Sequence, residues 1–434
     1  MKWKGCLTGL LTSLLLGVSL NTGSQNLVPP GKKIYIPKEF REMDFNDPAS
    51  RYSYHRMAYS DNIVVFWEAG FGPDLSNPPD LNGKDMQVDL ENVLNKAESF
   101  YRYFRDTLHF LKGESKADVY RMMLMINYSE DGTAYGGAYD NEIGALWVTP
   151  FRLKDPKCNV IAHELGHSFQ AQIGADGHLN LKGGPIWEMT SQWMLFNVNP
   201  HWMTDENYHL VDYLKKTHLA FMHPQNMYHS PYVLEFWSDK HGPEIIASIW
   251  NDAVKGEDAV TAYQRLSGID QETFNAEMFE AAQKFMTWDF DRIRKYAKPY
   301  ANMHYSKIKQ DAEGWYAIAE ENCPQHYGYN GIRLDVPQPG KNIRLDFEGL
   351  APEEQAGGWR YGLVAVDKEG KVTYGNMQTK TKGKFRYRVP KDGLGYLWLV
   401  VSTAPEQHSP DTKTTWPYRF SIQGGQVAKE QLMQ

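Results

Sequence analysis

The sequence has few cysteines, no excess of basic residues and no long apolar run beyond its N-terminus. Its 434 residues include only three cysteines, too few for the disulfide framework that stabilises small secreted domains. Cys6 belongs to the N-terminal export signal described below, so Cys158 and Cys323 are the only cysteines that could form a disulfide. A net charge of -7 argues against a nucleic-acid-binding protein. Since no later stretch has membrane-spanning length, we expect no integral membrane anchor.

The N-terminus has the pattern of a cleaved export signal. Lys2 and Lys4 precede an apolar, small-residue run over residues 5–20, and small polar residues follow it. Cys6 lies at the start of this run, whereas a lipid anchor would need a cysteine at its end. We therefore predict a signal peptide at residues 1–25 and an exported protein, periplasmic or extracellular, that is soluble after cleavage.

The most informative stretch is an H-E-x-x-H motif inside a predicted helix, formed by His163, Glu164 and His167. Asp155 is placed to cap this helix and Gly174 to end it. Histidines four residues apart project from one helix face, so both rings can bind one ion while Glu164 faces a water molecule beside it. The motif therefore predicts a metal centre, although short motifs also arise by chance.

A catalytic zinc site needs a third protein ligand and one open position. Metzincins carry glycine three residues after the second histidine, but Gln170 stands there and excludes that class. Glu188 is the only charge in the apolar helix predicted over residues 186–196, where a carboxylate is costly to bury unless it is paired or binds a metal. We predict Glu188 as the third ligand; Asp176 and Glu206 are weaker candidates.

With these positions in place, the chain resembles the gluzincins, the thermolysin-like and aminopeptidase-like zinc hydrolases. The matching positions are His163, Glu164, His167 and Glu188. The resemblance implies Zn²⁺ bound by the two histidines and Glu188, with Glu164 as the general base. Residues 63–296 also look like a group of secreted bacterial proteins of unassigned function within that clan. Gln192 departs from the thermolysin-like pattern, which has a histidine-orienting aspartate there, so another group must orient the ligand.

Further catalytic candidates lie after the Glu188 helix. The resemblance implies a Tyr or His from this later region that stabilises the oxyanion of the tetrahedral intermediate. Tyr228, His229 and Tyr232 are our candidates, with Tyr208 and His209 behind them. No spacing rule distinguishes among them, and each residue type is also common at helix starts.

The regions around the motif predict an α+β zincin-like catalytic domain with a mixed sheet and a largely helical second half. Strand, helix and strand patterns precede a hairpin at residues 133–149. Zincins place an edge strand just before the active-site helix, where it can pair with an extended peptide. We expect Gly144 to permit that approach, so that Gly144→Val raises the substrate KM; a plain structural hairpin is the alternative.

The C-terminal region has a different pattern. Short alternating strands separated by turn residues predict an antiparallel β-sandwich. Its Trp359, Trp398 and Trp416 suit either sugar stacking or core packing. The predicted organisation is a signal peptide at 1–25, an N-terminal arm at 26–60, the catalytic domain at 61–299, a connector at 300–324 and the β-sandwich at 325–434.

Together these patterns predict a secreted zinc metallopeptidase that hydrolyses peptide bonds of proteins or glycoproteins. The expected partners are protein, peptide or glycoprotein substrates, with carbohydrate contact by the C-terminal domain as a further option. Two alternatives stay open: a zinc hydrolase of a non-peptide amide, and a catalytically silent protein that binds glycan or protein on a zincin scaffold. Glu164 argues against the silent protein, because a scaffold needs no general base.

Overall fold

A computed structural model describes residues 27–352 and 354–433 as a mixed α/β architecture with three sheets. The predicted signal peptide at residues 1–25 lies outside the described residues. Among the helices that the structure describes, none is both long and apolar enough to cross a membrane.

The part of the chain up to the motif helix alternates strands and helices. Its elements are β1 (Met57–Tyr59), β2 (Ile63–Trp67), α1 (Leu90–Arg102), β3 (Met122–Ile126), β4 (Ala134–Tyr139), β5 (Ile143–Val148) and α2 (Asn159–Ala175). The five strands form one sheet in the order β1-β2-β3-β5-β4. Strands β2, β3 and β5 are parallel, whereas β1 and β4 are antiparallel to their neighbours.

The central strands of this sheet are covered on both faces. Every residue of β2 and β3 is buried, and both strands are continuous apolar runs, as parallel strands between two layers usually are. The antiparallel strand β4 lies at the edge of the sheet, and α2 packs against β4 and β5. The motif helix therefore lies directly beside an edge strand.

Helix α2 starts later than the sequence predicts. It begins at Asn159 after Cys158, which has a left-handed backbone with a φ of 55°. The predicted cap at Asp155 is therefore wrong: its side chain accepts the Lys157 N–H at 3.0 Å within the preceding turn. The helix ends at Ala175, one residue beyond Gly174.

The segment after α2 is largely helical. Its helices are α3 (Ile186–Val198), α4 (Trp202–Asp205), α5 (Tyr208–Lys215), α6 (Tyr232–His241), α7 (Glu244–Asn251), α8 (Ala259–Ser267), α9 (Gln271–Phe285) and α10 (Arg294–Ala297). Helix α3 packs along α2 and carries Glu188 in its first turn. This contact places the predicted third ligand next to the motif.

The remaining strands form two antiparallel sheets. They are β6 (Ile308–Gln310), β7 (Tyr316–Ile318), β8 (Tyr329–Leu334), β9 (Asn342–Gly349), β10 (Gly357–Val366), β11 (Val372–Tyr374), β12 (Lys382–Arg388), β13 (Tyr396–Pro405) and β14 (Tyr418–Gln423). One sheet has the order β11-β10-β13-β8 and the other β12-β9-β14-β7-β6. Strands β6 and β7 come from residues 300–324, the stretch predicted as a connector.

The two antiparallel sheets share an apolar core, and the first of them also packs on the helical segment. Phe347 of β9 stacks on Tyr361 of β10 with ring centroids 3.9 Å apart. Trp398 of β13 belongs to the core of the helical segment, and α9 packs against β10 and β13. Because both faces of β10 and β13 are covered, all but the first residue of each strand are buried.

Cys158 and Cys323 are both free and buried. Burial raises the pKa of each thiol to about 11. Neither cysteine therefore pairs with the other, and both remain protonated at neutral pH.

Candidate metal centre

The two motif histidines and Glu188 meet at one point. His163 and His167 lie one turn apart on α2, and the Nε2 atom of each is 3.2 Å from Oε2 of Glu188. One donor atom from each of the three residues lies within 4.8 Å of the other two. Two imidazole nitrogens and one carboxylate oxygen form a donor set that zinc takes in catalytic sites.

Close contact between α2 and α3 brings these side chains together. A Cβ atom at Gly166 would lie 2.6 Å from the Ser191 Oγ, so α3 can approach this closely only because residue 166 lacks a side chain. The Ser191 hydroxyl donates a hydrogen bond to the His163 carbonyl across the contact. A glycine in the middle of a helix costs about 1 kcal/mol of stability relative to alanine. The close packing of α3 explains why glycine nevertheless stands at position 166.

The ionisation of the cluster favours a positive charge between its members. Burial lowers the pKa of His167, but the hydrogen bonds to Glu188 and Gln170, together with the charges of Glu188 and Glu164, outweigh it, so the pKa is raised. Burial likewise opposes ionisation of Glu188, yet hydrogen bonds from His163 and His167 hold its pKa well below the usual range. The Glu188 carboxylate thus stabilises positive charge on the neighbouring imidazole rings. It would stabilise a cation bound between the three side chains in the same way.

Gln170 fixes the orientation of His167. Its Oε1 accepts a hydrogen bond from the His167 Nδ1 at 2.8 Å, and its Nε2 donates to the Trp187 carbonyl at 2.9 Å. Gln170 has no exposed surface. Because Gln170 holds the Nδ1–H, the His167 ring presents its Nε2 atom to Glu188, and this is the atom that would bind a cation.

Glu164 lies between the cluster and the edge strand. Its side chain is buried, and the Gly136 N–H of β4 donates a hydrogen bond to its carboxylate. Burial is the main cause that raises the pKa of Glu164. A Cβ at Gly136 would lie 2.7 Å from the His167 Cβ and would overlap the Glu164 carbonyl oxygen. Only glycine at position 136 allows β4 to lie this close.

These groups line a cleft of about 510 Å³. Small residues of β4, Ala134, Gly136, Gly137 and Ala138, form one wall. Tyr135 and Trp187 also line the cleft, and the Tyr135 ring is 62% exposed. Since β4 is an edge strand, the backbone on its unpaired side is available to an extended ligand.

Of the three oxyanion candidates, the structure brings Tyr228 to the cleft. Its side chain lines the cleft, on the side of Glu188. Burial and the Glu188 charge raise the pKa of Tyr228. Gln192, which stands where thermolysin-like proteins have aspartate, donates to the Tyr228 carbonyl at 2.9 Å and so holds this segment.

The other two oxyanion candidates lie elsewhere. His229 faces His209, with their Nδ1 atoms 2.9 Å apart, and its Nε2 is 3.2 Å from Asp212. Tyr232 is fully buried against Phe196 and Trp288. Their assignment to the site is therefore not supported by their positions.

Several other residues singled out in the sequence have structural roles. Asp176 accepts hydrogen bonds from Ser115 and the Lys116 N–H, and Glu206 accepts one from Asn159. Tyr208 is 59% exposed beside Glu206. Neither Asp176 nor Glu206 belongs to the group of three possible metal ligands found within the described residues.

One expectation about contact residues is wrong, and for three tryptophans one of two open alternatives is excluded. Gly144 is buried in β5, where its N–H donates to Gln172 and a Cβ would lie 2.8 Å from the Ser168 carbonyl oxygen. Gly136, not Gly144, thus borders the cleft. The side chains of Trp359, Trp398 and Trp416 are at most 2% exposed and cannot form a surface for sugar stacking.

Four residues at the site have no role that the sequence alone predicts: Gln170, Gly136, Tyr135 and Trp187. A signal existed for Gln170, which lies on the same helix face as both histidines, and for the Gly136-Gly137 pair in the predicted hairpin. The two aromatic residues had no sequence signal, since their position depends on how β4 and α3 pack against α2.

Comparison with known proteins gives one family match. The model of a family described as a family of unknown function (DUF6055) matches residues 27–429. No curated protein matches the chain.

Several solved structures are similar to parts or most of the chain. The ZmpB metallopeptidase from Clostridium perfringens is 14% identical, with 80% of this chain and 68% of that chain covered and a TM-score of 0.32. The M60 catalytic domain of Clostridium perfringens ZmpC, in complex with the sialyl T antigen, is 12% identical, covering 83% and 71%, with a TM-score of 0.30. A family 22 carbohydrate binding module from Clostridium thermocellum Xyn10B is 16% identical, covering 27% and 74%, with a TM-score of 0.18. Likeness at these TM-scores carries no weight for fold or function.

Proposed function

Because the chain belongs to DUF6055, a family of unknown function, we propose its activity from the cluster itself: zinc-dependent hydrolysis of peptide bonds in proteins or glycoproteins. The observation that carries this proposal is the convergence of both histidine Nε2 atoms on one Glu188 oxygen, in the cleft that also holds Glu164. His163, His167 and Glu188 would hold the zinc ion. The catalytic domain would be residues 61–299 on a zincin-like arrangement.

Bound zinc would lower the pKa of a water molecule and polarise the scissile carbonyl. Glu164 takes a proton from the attacking water and later gives it to the leaving amine as the C–N bond breaks. The Gly136 N–H keeps the Glu164 carboxylate oriented between these two transfers. The Tyr228 hydroxyl, exposed at the cleft and held through Gln192, donates a hydrogen bond to the developing oxyanion.

The edge strand positions the substrate. An extended peptide pairs with the free side of β4, which aligns its backbone along the wall made by Ala134, Gly136 and Ala138. Small side chains on this wall leave room for large substrate groups. Apart from His163, Glu164, His167 and Glu188, no charged side chain among the described residues lines the cleft, an arrangement that suits internal peptide bonds rather than charged chain ends.

A cleavage survey tests this function. The zinc-loaded protein is incubated with a broad mixture of peptides and glycoproteins, and new termini are identified by mass spectrometry beside Glu164→Gln, which keeps the three proposed ligands. We expect new termini with the wild type alone. The same termini from both proteins would reveal a contaminant, and none from either would contradict a peptidase. Release of a non-peptide amide by the wild type alone would assign the same residues to a different bond.

A further inference from the structure

One strand of the second antiparallel sheet is strongly basic in a chain of negative net charge. Residues 376–391 contain six cationic side chains and no carboxylate. Within them, β12 alternates between exposed cations and half-buried residues. The exposed residues of β12 are Lys382, Lys384, Arg386 and Arg388. Since alternate residues of a strand point to one face, these charges form a straight row with a spacing of roughly 7 Å.

Neighbouring strands extend this row into a basic face. Lys384 of β12 lies directly opposite Asp346 of β9, and Lys382 lies opposite Glu348. Arg344 of β9 and Arg419 of β14 also belong to the same outward side of the sheet. The basic face, as named here, is made of Lys382, Lys384, Arg386, Arg388, Arg344 and Arg419.

The carboxylates on this side of the sheet neutralise only part of the basic face. Asp346 pairs with Arg344 at 3.0 Å and with Lys384 at 3.5 Å. Glu348 pairs with Lys382 at 2.7 Å and with Arg419 at 2.6 Å, which lowers the pKa of Glu348. Two carboxylates are therefore shared among four cations.

Arg386 and Arg388 are the cations with no such compensation. Both are exposed, and no carboxylate of the described residues forms an ion pair with either of them. Arg386 also lies directly across from Arg344. Like charges opposite each other on adjacent strands destabilise a sheet, so an external anion would relieve a repulsion that the fold leaves in place.

From this arrangement we propose that the basic face binds a linear acidic polysaccharide bearing carboxylate or sulfate groups. A straight, evenly spaced row of cations matches a chain whose charges repeat along its length, and arginine pairs with such groups through two parallel hydrogen bonds. This interaction is separate from the proposed catalytic cleft and does not depend on zinc.

The composition of the face favours a polysaccharide over a single-stranded nucleic acid. The outward positions of β12, β9 and β14 carry no aromatic side chain, and Phe385, Tyr387 and Phe420 belong to the opposite, inward side. Trp315, beside the face, is covered by the Arg419 guanidinium, which lies 4.6 Å from its ring centre. Single-stranded nucleic acids are usually held by bases stacked on such rings. Edge strands also use charge to prevent pairing with other chains, but that role does not require four charges of one sign.

Binding assays with two polysaccharides test the proposal. Heparin and polygalacturonate are titrated with the full chain at low and high salt, beside a single-stranded DNA oligonucleotide. The strand variant replaces Lys382, Lys384, Arg386 and Arg388 by glutamine. The matched control makes the same change at four exposed cations on other parts of the surface, Arg41, Lys84, Lys255 and Lys295. A double variant, Arg386→Gln with Arg388→Gln, leaves the ion pairs of Lys382 and Lys384 intact.

We expect wild-type binding to at least one polysaccharide that weakens as salt rises. We expect the strand variant to lose more than tenfold in affinity, the double variant to lose several-fold and the control to stay within twofold. Equal losses in the strand variant and the control would assign the binding to net charge and overturn the proposal. Tighter binding of the wild type to the single-stranded DNA than to either polysaccharide would also overturn it, as would a strand variant that self-associates while keeping its affinity for polysaccharide.

Discussion

Three candidate residues within five positions of the chain have three different environments. Tyr228 points into the cleft, His229 pairs with His209 and Asp212, and Tyr232 is buried in the core. The segment just before α6 turns the chain from the cleft into the protein, so position in the sequence says little about which side chain reaches the substrate. The proposed mechanism therefore assigns the oxyanion contact to Tyr228 alone.

Replacing Tyr228 by phenylalanine should lower kcat roughly 100-fold with zinc retained, because one donor to the oxyanion is lost. Steady-state kinetics and metal analysis measure both quantities. Tyr232→Phe is the matched control: the Tyr232 hydroxyl has no hydrogen-bond partner among the described residues, so its removal should leave kcat unchanged. Similar losses in both variants would show that the effect comes from packing.

Gln170 provides a second test at the residue scale. Gln170→Leu keeps the size of the side chain but removes the acceptor for the His167 Nδ1–H. We expect zinc affinity to fall by about 10- to 100-fold, as is usual when a ligand loses its orienting partner. Competition with a zinc-binding dye measures this affinity directly.

The control for Gln170 is a second buried glutamine on the same helix. Gln172 hydrogen-bonds the Gly144 N–H and Asp176, away from the cluster. Gln172→Leu should lower the free energy of unfolding but leave zinc affinity unchanged. If both variants bind zinc as the wild type does, Gln170 does not position His167.

At the scale of elements, the site depends on how β4 lies against α2. Strand β4 contacts α2 where Gly136 meets Glu164 and His167. Helix α3 contacts α2 from another side, at Gly166. Two glycines thus let three elements converge on one cleft. Their spacing, rather than any loop, sets the distance between the general base and the proposed ligands.

Gly136→Ala should disturb both stability and activity. The added Cβ would overlap the Glu164 carbonyl, so β4 must move away, at a cost of about 1 to 3 kcal/mol, and the hydrogen bond to the Glu164 carboxylate weakens. Denaturant unfolding and kcat are measured together. At Gly137 a Cβ would meet only the exposed Tyr135 ring, at 3.2 Å, so Gly137→Ala should behave like the wild type. An unaltered Gly136→Ala protein would show that β4 is not held this tightly.

The parts of the site on single helices could be predicted from the sequence, because helical spacing is local. His163, Glu164 and His167 are fixed by a four-residue interval, and the apolar surroundings of Glu188 identified it on the next helix. Gly136 and Tyr228 could not be chosen over Gly144 and Tyr232 in the same way. Which strand forms the sheet edge, and where the chain turns before α6, depend on contacts between residues distant in sequence.

The antiparallel sheets show the same division. Alternation in β9 and β12 indicated strands with one exposed side, and the structure shows that pattern. Strands β10 and β13 are buried on both faces by α9 and by the second sheet. No local sequence pattern indicates that the helical segment covers Trp398. Sugar stacking by this residue therefore could not be excluded from the sequence.

At the scale of the whole molecule, the helical segment and the antiparallel sheets are joined by polar contacts as well as by a shared core. Asp258 caps α8 and also lies 2.7 Å from the His408 Nε2, which belongs to the loop after β13. His408 in turn contacts the Tyr327 hydroxyl at 3.0 Å. Stability at this junction should therefore depend on pH.

Burial opposes ionisation of Asp258, but hydrogen bonds from His408 and the first turn of α8 lower its pKa to about 2. A lowered pKa means that the carboxylate stabilises the fold fully above about pH 4, and that this contribution is lost as pH falls towards 2. Asp258→Asn should lower the free energy of unfolding by about 2 kcal/mol at neutral pH and reduce its pH dependence between about 4 and 2.

Denaturant unfolding at several pH values measures this effect. Asp270→Asn is the matched control, since Asp270 caps α9 through the Thr273 N–H but is exposed and has no histidine partner in the described residues. It should change both the stability and the acid slope less than Asp258→Asn does, since the pKa of Asp270 is lowered chiefly by its hydrogen bonds with Thr273. An Asp258→Asn protein with the wild-type slope would place the acid sensitivity elsewhere.

The most direct test of the proposed metal centre is zinc titration of the metal-stripped protein. We expect one tightly bound equivalent in the wild type and in Glu164→Gln, with a large loss of affinity in His163→Ala, His167→Ala and Glu188→Ala. Circular dichroism of each stripped variant shows whether it remains folded. Wild-type affinity in a folded Glu188→Ala protein, or no tightly bound zinc in the wild type, would contradict a zinc site formed by His163, His167 and Glu188.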